Sequence, residues 1–128
     1  MSVGILLLTH EGMGDALAET ARHILGRLML KLDAFSIPPG SDLDFALSGA
    51  AARVRALDTG DGVLVLTDVY GATPSNVATR LAPLGLHVHL VSGLNLPMLL
   101  RVLNYPEKAL AELALTAEQG GRAGIRTD

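Results

Sequence analysis

Residues 3–14 read VGILLLTHEGMG, and this stretch decides the fold. It begins with a short apolar run without charge, which is typical of a strand buried on both faces of a parallel sheet. The following residues, 15–25, have the pattern of a helix. His10 therefore lies at the carboxyl end of a central strand, in the loop that opens a helix. Open α/β sheets bind their ligands at that edge.

Strands and helices alternate along the rest of the chain. We expect strands over 31–37, 63–67 and 86–91, helices over 41–57, 74–81, 96–103 and 105–119, and one further short strand in the tail, 120–128. Asn95 is predicted to cap the helix that starts at residue 96. This alternation predicts an α/β fold: an open, mostly parallel sheet of four or five strands with helices on both faces. Residues 1–128 are expected to form one domain.

The flavodoxin-like strand order places strand 1 between strands 2 and 3, so the ends of strands 1 and 3 meet at the switch point. Those ends carry His10 and Asp68. A carboxylate that accepts a hydrogen bond from one ring nitrogen fixes the histidine tautomer and leaves the other nitrogen unprotonated. Because no serine occupies a strand-to-helix elbow, we predict His10 as the nucleophile. Its predicted electrophile is a phosphoryl group.

The segment after Asp68 suits a phosphate. Thr73 is predicted as a helix N-cap and Pro74 as the first helical residue, which leaves the backbone amides of Ser75 and Asn76 free in the first turn. Helix N-termini bind anions through such amides, and Gly71 lets the backbone approach a bulky anion. We therefore predict a phosphate-binding role for Gly71, Thr73, Ser75 and Asn76. An ordinary helix start explains Thr73 and Pro74 equally well.

Three segments together resemble a known family: residues 4–10 (GILLLTH), 68–76 (DVYGATPSN) and 92–99 (SGLNLPML). The chain resembles the IIA component of the mannose/fructose/sorbose type of the bacterial phosphoenolpyruvate:sugar phosphotransferase system. The resemblance implies that His10 accepts a phosphoryl group from the phosphocarrier HPr and passes it to a histidine of a IIB component, with Asp68 supporting His10. It also implies a homodimer whose C-terminal strand is exchanged between subunits.

The resemblance bears on further contacts. The resemblance implies that Asn95 and its loop line the surface that docks the protein partners, and Gly12 and Tyr70 are assigned to the same surface. Packing within its own loop explains Tyr70 equally well. A membrane would be reached only through IIC and IID components.

Three positions depart from the pattern of this family, and one of them, Thr73 in place of a serine, keeps a capping hydroxyl. Glu11 follows the histidine where glycine is common, and it adds a negative charge beside a site that must hold phosphate. Ala72 stands where a second glycine is common. Alanine is strained there only if the backbone requires a positive φ.

Composition limits the other classes of function. The chain has 49% hydrophobic and 18% charged residues, a net charge of −3 and no cysteine. Without a basic run, nucleic acid is not an expected partner. No leader or membrane span is recognisable, so we predict a cytoplasmic protein. The mean hydropathy of +0.39 indicates that a second copy or a partner covers some apolar surface.

His87 and His89 have a spacing that zinc sites use, but we expect both to be structural and predict no metal or cofactor.

Two other functions fit the same residues. In one, the phosphorylation of His10 switches the binding of a regulatory partner and no sugar is transported. In the other, the chain is the phosphoryl-donor subunit of a dihydroxyacetone kinase, which shares this fold. Dinucleotide binding is disfavoured because the first loop lacks G-x-G-x-x-G.

Overall fold

Strand β1, Gly4–His10, lies in the interior of a four-stranded parallel sheet in the computed structural model, which describes residues 2–128. The other strands are β2 (Leu32–Ile37), β3 (Val63–Thr67) and β4 (Val88–Ser92). Their order is β2-β1-β3-β4, and each neighbouring pair is parallel. The predicted α/β fold and the position of β1 between β2 and β3 are confirmed.

Helices cover both faces of this sheet. They are α1 (Met13–Leu25), α2 (Leu43–Leu57), α3 (Thr73–Ala78), α4 (Leu96–Leu103) and α5 (Leu110–Ala123), with a 3₁₀ turn at Ala82–Leu84. Because side chains alternate along a strand, Ile5 and Leu7 pack with α1, α4 and α5, whereas Leu6 and Leu8 pack with α2 and α3. β1 is therefore buried on both faces, as its unbroken apolar sequence predicts.

The register of the central strands determines which backbone groups are left unpaired at the carboxyl edge of the sheet. The pairing of β1 with β3 ends at Leu8 and Thr67, but β1 continues beside β2 as far as His10 and Ile37. The backbone of His10 therefore extends beyond the end of its β3 partner. A side chain from the segment after β3 has to complete the hydrogen bonding there.

Two predicted elements have different ends in the structure. The helix predicted over 74–81 ends at Ala78, because the chain tightens there into i→i+3 turns, such as the bond from Arg80 N–H to Val77 C=O. β4 begins at Val88 and not at residue 86, so His87 precedes the strand and His89 lies within it. The proposed His-x-His pair is therefore not a pair within one strand.

The tail prediction is wrong for residues 120–123, which continue α5 to Ala123. Gly120 and Gly121 are buried where α5 packs on α4. A Cβ on Gly120 would lie 2.6 Å from Cβ of Arg101, so only glycine permits this approach. Packing against α4 thus outweighs the low helix propensity of the two glycines. The last helix also starts later than predicted, at Leu110.

The two edge strands differ in the hydrogen bonding of their outward backbone groups. On β2, the outward carbonyl of Leu32 accepts a hydrogen bond from Arg22 Nη2 at 2.9 Å, and that of Ala34 accepts one from Arg53 Nη1 at 2.9 Å. On β4, no side chain within residues 2–128 donates to the strand backbone. Unpaired edge groups are sites where another strand can add. The β2 edge is therefore blocked and the β4 edge is open.

Removing both arginine contacts should expose the β2 edge. We expect the double variant Arg22→Met/Arg53→Met to keep the native sheet, because the long apolar stems remain, but to self-associate more strongly than the parent. Sedimentation velocity over a range of protein concentrations measures this. The control Arg55→Met/Arg80→Met removes the same charge from two exposed arginines. Equal association of the two double variants would contradict a protective role for Arg22 and Arg53.

Candidate functional site

Asp68 binds His10 at two points. It follows directly after β3, and its side chain is only 1% exposed. One oxygen, Oδ2, accepts the backbone N–H of His10 at 2.9 Å and lies 2.7 Å from Nδ1 of its ring. The other oxygen accepts the N–H of Val69 at 3.0 Å. The carboxylate thus continues the hydrogen bonding of β3 past the end of the strand and also holds the imidazole.

This arrangement fixes the tautomer of His10. An ionised carboxylate only accepts hydrogen bonds, so the proton of the Nδ1–Oδ2 bond belongs to Nδ1. In the neutral imidazole, Nε2 then carries the lone pair. The His10 side chain is 50% exposed, so the ring is open to a reactant or a partner protein. The sequence prediction that His10 and Asp68 meet at the switch point matches the geometry.

The hydrogen bonds also hold Asp68 in its charged form. Burial of the carboxyl opposes ionisation, but the hydrogen bonds from the backbone and ring of His10 and from Val69, together with the charge of His10, outweigh it. The pKa of Asp68 is therefore below its ordinary value. At neutral pH this carboxylate is an acceptor and an anionic partner for the ring.

The loop after His10 is held by two hydroxyl groups. Thr9 is fully buried; its hydroxyl donates to the His10 carbonyl at 2.8 Å and accepts the Gly14 N–H at 2.8 Å. Ser36 on β2 accepts the N–H of Gly12 at 3.2 Å and donates to Asp15 at 2.8 Å. Local sequence patterns do not identify Thr9 and Ser36 as site residues, because each has the appearance of an ordinary strand residue. Their proximity to the loop follows only from the strand register.

The start of α3 differs from the prediction. The N-cap is Ala72 and not Thr73, no side chain caps the helix, and Thr73 is the first helical residue. The backbone amide of Asn76 is not free, because it donates to the Ala72 carbonyl at 2.9 Å. Its side-chain amide donates to the Gly71 carbonyl at 3.3 Å. Gly71 has a φ of 85° and Ala72 a φ of −81°, so the position that needs glycine has it and Ala72 is unstrained.

The three residues assigned to the docking surface have different environments. Tyr70 is 85% exposed in the loop after Asp68, and Gly12 is exposed in the loop after His10. Asn95 is half-buried, and both ends of its side chain are bound: Oδ1 accepts Met98 N–H at 2.9 Å and Nδ2 donates to the Gly121 carbonyl at 3.1 Å. The predicted capping role of Asn95 is confirmed. The docking role of Asn95 stays a prediction.

A family model described as "PTS system fructose IIA component" matches residues 4–117. The chain belongs to this family. It is also 30% identical over 128 residues to the PTS system mannose-specific EIIAB component of Escherichia coli K12, covering 98% of this chain. The match spans 39% of the length of that relative.

Solved structures of the family have the same fold. The mannose/sorbose specific IIA subunit from Enterococcus faecalis aligns with a TM-score of 0.87 at 28% identity, over 100% of this chain and 96% of that one. The PTS IIA protein associated with the fucose utilization operon of Streptococcus pneumoniae aligns with a TM-score of 0.80 at 26% identity, over 98% and 96%. Among the helices of residues 2–128, none has the length and apolarity to cross a membrane.

Stability at acid pH should depend on Asp68. A carboxyl whose pKa is lowered by folding contributes stability above its unfolded pKa, about 3.9. That contribution is lost as the pH falls through the lowered pKa of the folded protein. We therefore expect the free energy of unfolding to fall more steeply below about pH 4 in the parent than in Asp68→Asn.

Urea unfolding between pH 2.5 and pH 7 measures this slope. Asp58, whose pKa is lowered by hydrogen bonds from the amides of Gly60 and Gly62, is present in both proteins, so its contribution cancels in the difference. Glu19→Gln, at an exposed position on α1, serves as the control. Parallel pH profiles for the parent and Asp68→Asn would show that Asp68 is not held in its charged form.

Proposed function

We propose that this protein is a phosphocarrier that accepts a phosphoryl group on Nε2 of His10 and passes it to a second protein. The observation that supports this most strongly is the bond between Nδ1 of His10 and Oδ2 of Asp68, at 2.7 Å. That bond leaves the lone pair on Nε2 of a ring that is half-exposed, and it keeps the buried Asp68 carboxylate beside that ring. An unprotonated ring nitrogen is the nucleophile in a histidine that attacks phosphorus, and a neighbouring anion stabilises the cationic ring that forms.

The proposed transfer forms one N–P bond and breaks another. The Nε2 lone pair attacks the phosphorus of a phosphohistidine on the donor, a new N–P bond forms, and the donor N–P bond breaks with its electron pair returning to the donor imidazole. The ring of His10, still protonated on Nδ1, becomes cationic as the bond forms, and the Asp68 carboxylate stabilises that charge. Because the bonds formed and broken are of one kind, the same groups serve the reverse step, in which His10 gives the phosphoryl group away.

We propose the phosphocarrier HPr as the donor and a histidine of a IIB component as the acceptor, as membership of the family implies. The name of the E. coli relative includes a B component, and this chain spans 39% of that relative. The cycle proposed here uses a histidine of a IIB component as the acceptor. Any contact with a membrane would be made through the IIC and IID components.

Contacts to the phosphoryl group remain a prediction for Gly71, Thr73 and Ser75. All three belong to the segment that follows Asp68 on the carboxyl side of β3. Thr73 is exposed and keeps a hydroxyl for an oxyanion. Asn76 is less suited to this role than its sequence position indicates, because its backbone amide donates within α3.

Replacing His10 should abolish phosphoryl acceptance. After incubation with phosphoenolpyruvate, enzyme I and HPr, we expect intact mass to show one acid-labile phosphoryl group on the parent and none on His10→Gln. His23→Gln, at an exposed position on α1, is the matched control and should be labelled like the parent. Labelling of His10→Gln, or no labelling of a folded parent, would overturn the proposal.

We also propose that the protein is a homodimer formed along the open edge of β4. A groove of about 630 Å³ lies between β4 and α5, with Val91, Met98, Ala114, Leu115 and Ile125 among its lining residues. Leu115 is 60% and Ile125 75% exposed in the single chain. The C-terminal segment of a second copy would add to the β4 edge and cover this apolar lining.

A charge in this groove should weaken the dimer. We expect Leu115→Glu to shift the protein toward monomer in sedimentation velocity, because a carboxylate would be buried against the second copy. Ile24→Glu changes a residue of similar exposure, 52%, on α1 and should leave the dimer intact. A monomeric parent, or a Leu115→Glu dimer as strong as that of the control, would rule out association through this groove.

A further inference from the structure

We propose that Thr9 is a positioning residue for the phosphoryl acceptor, acting on the His10 carbonyl while Asp68 acts on the His10 N–H and ring. The inference rests on the proposed function of His10. Thr9 does not touch the reacting atoms; it acts through the backbone of its neighbour. Its hydroxyl is the second buried polar group that binds this histidine, after the Asp68 carboxylate.

The Thr9 hydroxyl makes one donated and one accepted hydrogen bond. It donates to the His10 carbonyl at 2.8 Å and accepts the Gly14 N–H at 2.8 Å, and the side chain is 0% exposed. Gly14 makes the second bond possible, because a Cβ there would lie 3.1 Å from Thr9 Oγ1 and 3.2 Å from Cβ of Leu7. The first turn of α1 is thus packed closely on the end of β1 through this one hydroxyl.

The position of the His10 backbone determines whether its ring can reach the Asp68 carboxylate. The β1–β3 pairing ends at Leu8 and Thr67, so β3 supplies no carbonyl or amide to His10. Oδ2 of Asp68 accepts both the His10 N–H and its Nδ1–H, so these two bonds form together only for one placement of the backbone. The Thr9 hydroxyl holds the carbonyl side of the same residue and so restricts that placement.

Loss of the hydroxyl therefore has a chemical consequence. With the His10 carbonyl released, the ring leaves Oδ2 more often and populates the tautomer with its proton on Nε2. That tautomer has no lone pair on the attacking nitrogen. The effect falls on the chemical step and not on the docking of the donor, because Thr9 is buried and presents no surface to a partner.

Thr116 offers a matched control for a purely structural role. It is 4% exposed, its hydroxyl donates to the Glu112 carbonyl at 3.0 Å, and it accepts Lys108 Nζ at 2.9 Å. The change from threonine to valine therefore removes a buried hydroxyl with one donated and one accepted bond at either position. Both variants lose stability, since unsatisfied buried groups are costly. Thr9→Val alone should alter His10.

The experiment compares the parent with Thr9→Val, Thr9→Ser and Thr116→Val. Two quantities are measured well below the unfolding temperatures: the single-turnover rate of phosphoryl uptake from phospho-HPr, and the His10 tautomer from the ¹⁵N shifts of its ring. We expect Thr9→Val to lower the rate at saturating donor by about tenfold, as a small misplacement of a reacting group does, with the half-saturating donor concentration unchanged. The Nδ1–H population should fall in parallel, and Thr9→Ser should restore both.

Thr116→Val should match the parent in rate and in tautomer. Equal rates for Thr9→Val and Thr116→Val, or a His10 tautomer unchanged by Thr9→Val, would overturn the proposal. If Thr9→Val does not fold, Thr9→Ala gives the same test, because the smaller side chain leaves room for water beside the Gly14 amide. Absence of phosphorylation in the folded parent would count against the proposed function, while the tautomer measurement still decides whether Thr9 positions the ring.

Discussion

The rest of the site depends on one carboxylate oxygen, Oδ2 of Asp68, which binds the backbone N–H and the ring of the same histidine. This double contact is possible because β1 continues beyond the end of β3, so that the His10 N–H meets a side chain where a strand carbonyl would otherwise stand. The buried anion satisfies an amide and selects a tautomer, and in the proposed transfer it would also offset the charge that develops on the ring. Fold and chemistry therefore share a single interaction.

The two edges of the sheet differ in how their outward backbone groups are bonded. Arg22 and Arg53 bind the outward carbonyls of β2, and the Arg53 guanidinium also lies 4.8 Å from the centre of the Phe35 ring. β4 has no comparable side-chain contact within residues 2–128, and an apolar groove runs beside it. Two of the exposed large apolar side chains, Leu115 and Ile125, line this groove, where strand addition remains possible.

Sequence alone predicts the strands, their order and the meeting of His10 with Asp68, because unbroken apolar runs and parallel topology constrain the carboxyl edge strongly. Sequence patterns fail where contacts between residues that are distant in sequence determine the local structure. Gly120 and Gly121 have the composition of a helix end, yet close packing on α4 keeps them helical. Thr9 has the appearance of a strand residue, and only the approach of Gly14 shows that its hydroxyl joins the loop to α1. Local sequence patterns do not encode either of these close contacts.

Among the departures from the family pattern, Ala72 and Glu11 have unequal weight. Ala72 is harmless because the positive φ in that loop belongs to Gly71. Glu11 is exposed beside His10, so water and salt screen its charge. Two unit charges 4 Å apart in water interact by only about 1 kcal/mol. In the proposed carrier, this weak repulsion would oppose acceptance of the phosphoryl group on His10 and assist its departure. Both steps would still depend on the Asp68–His10 contact.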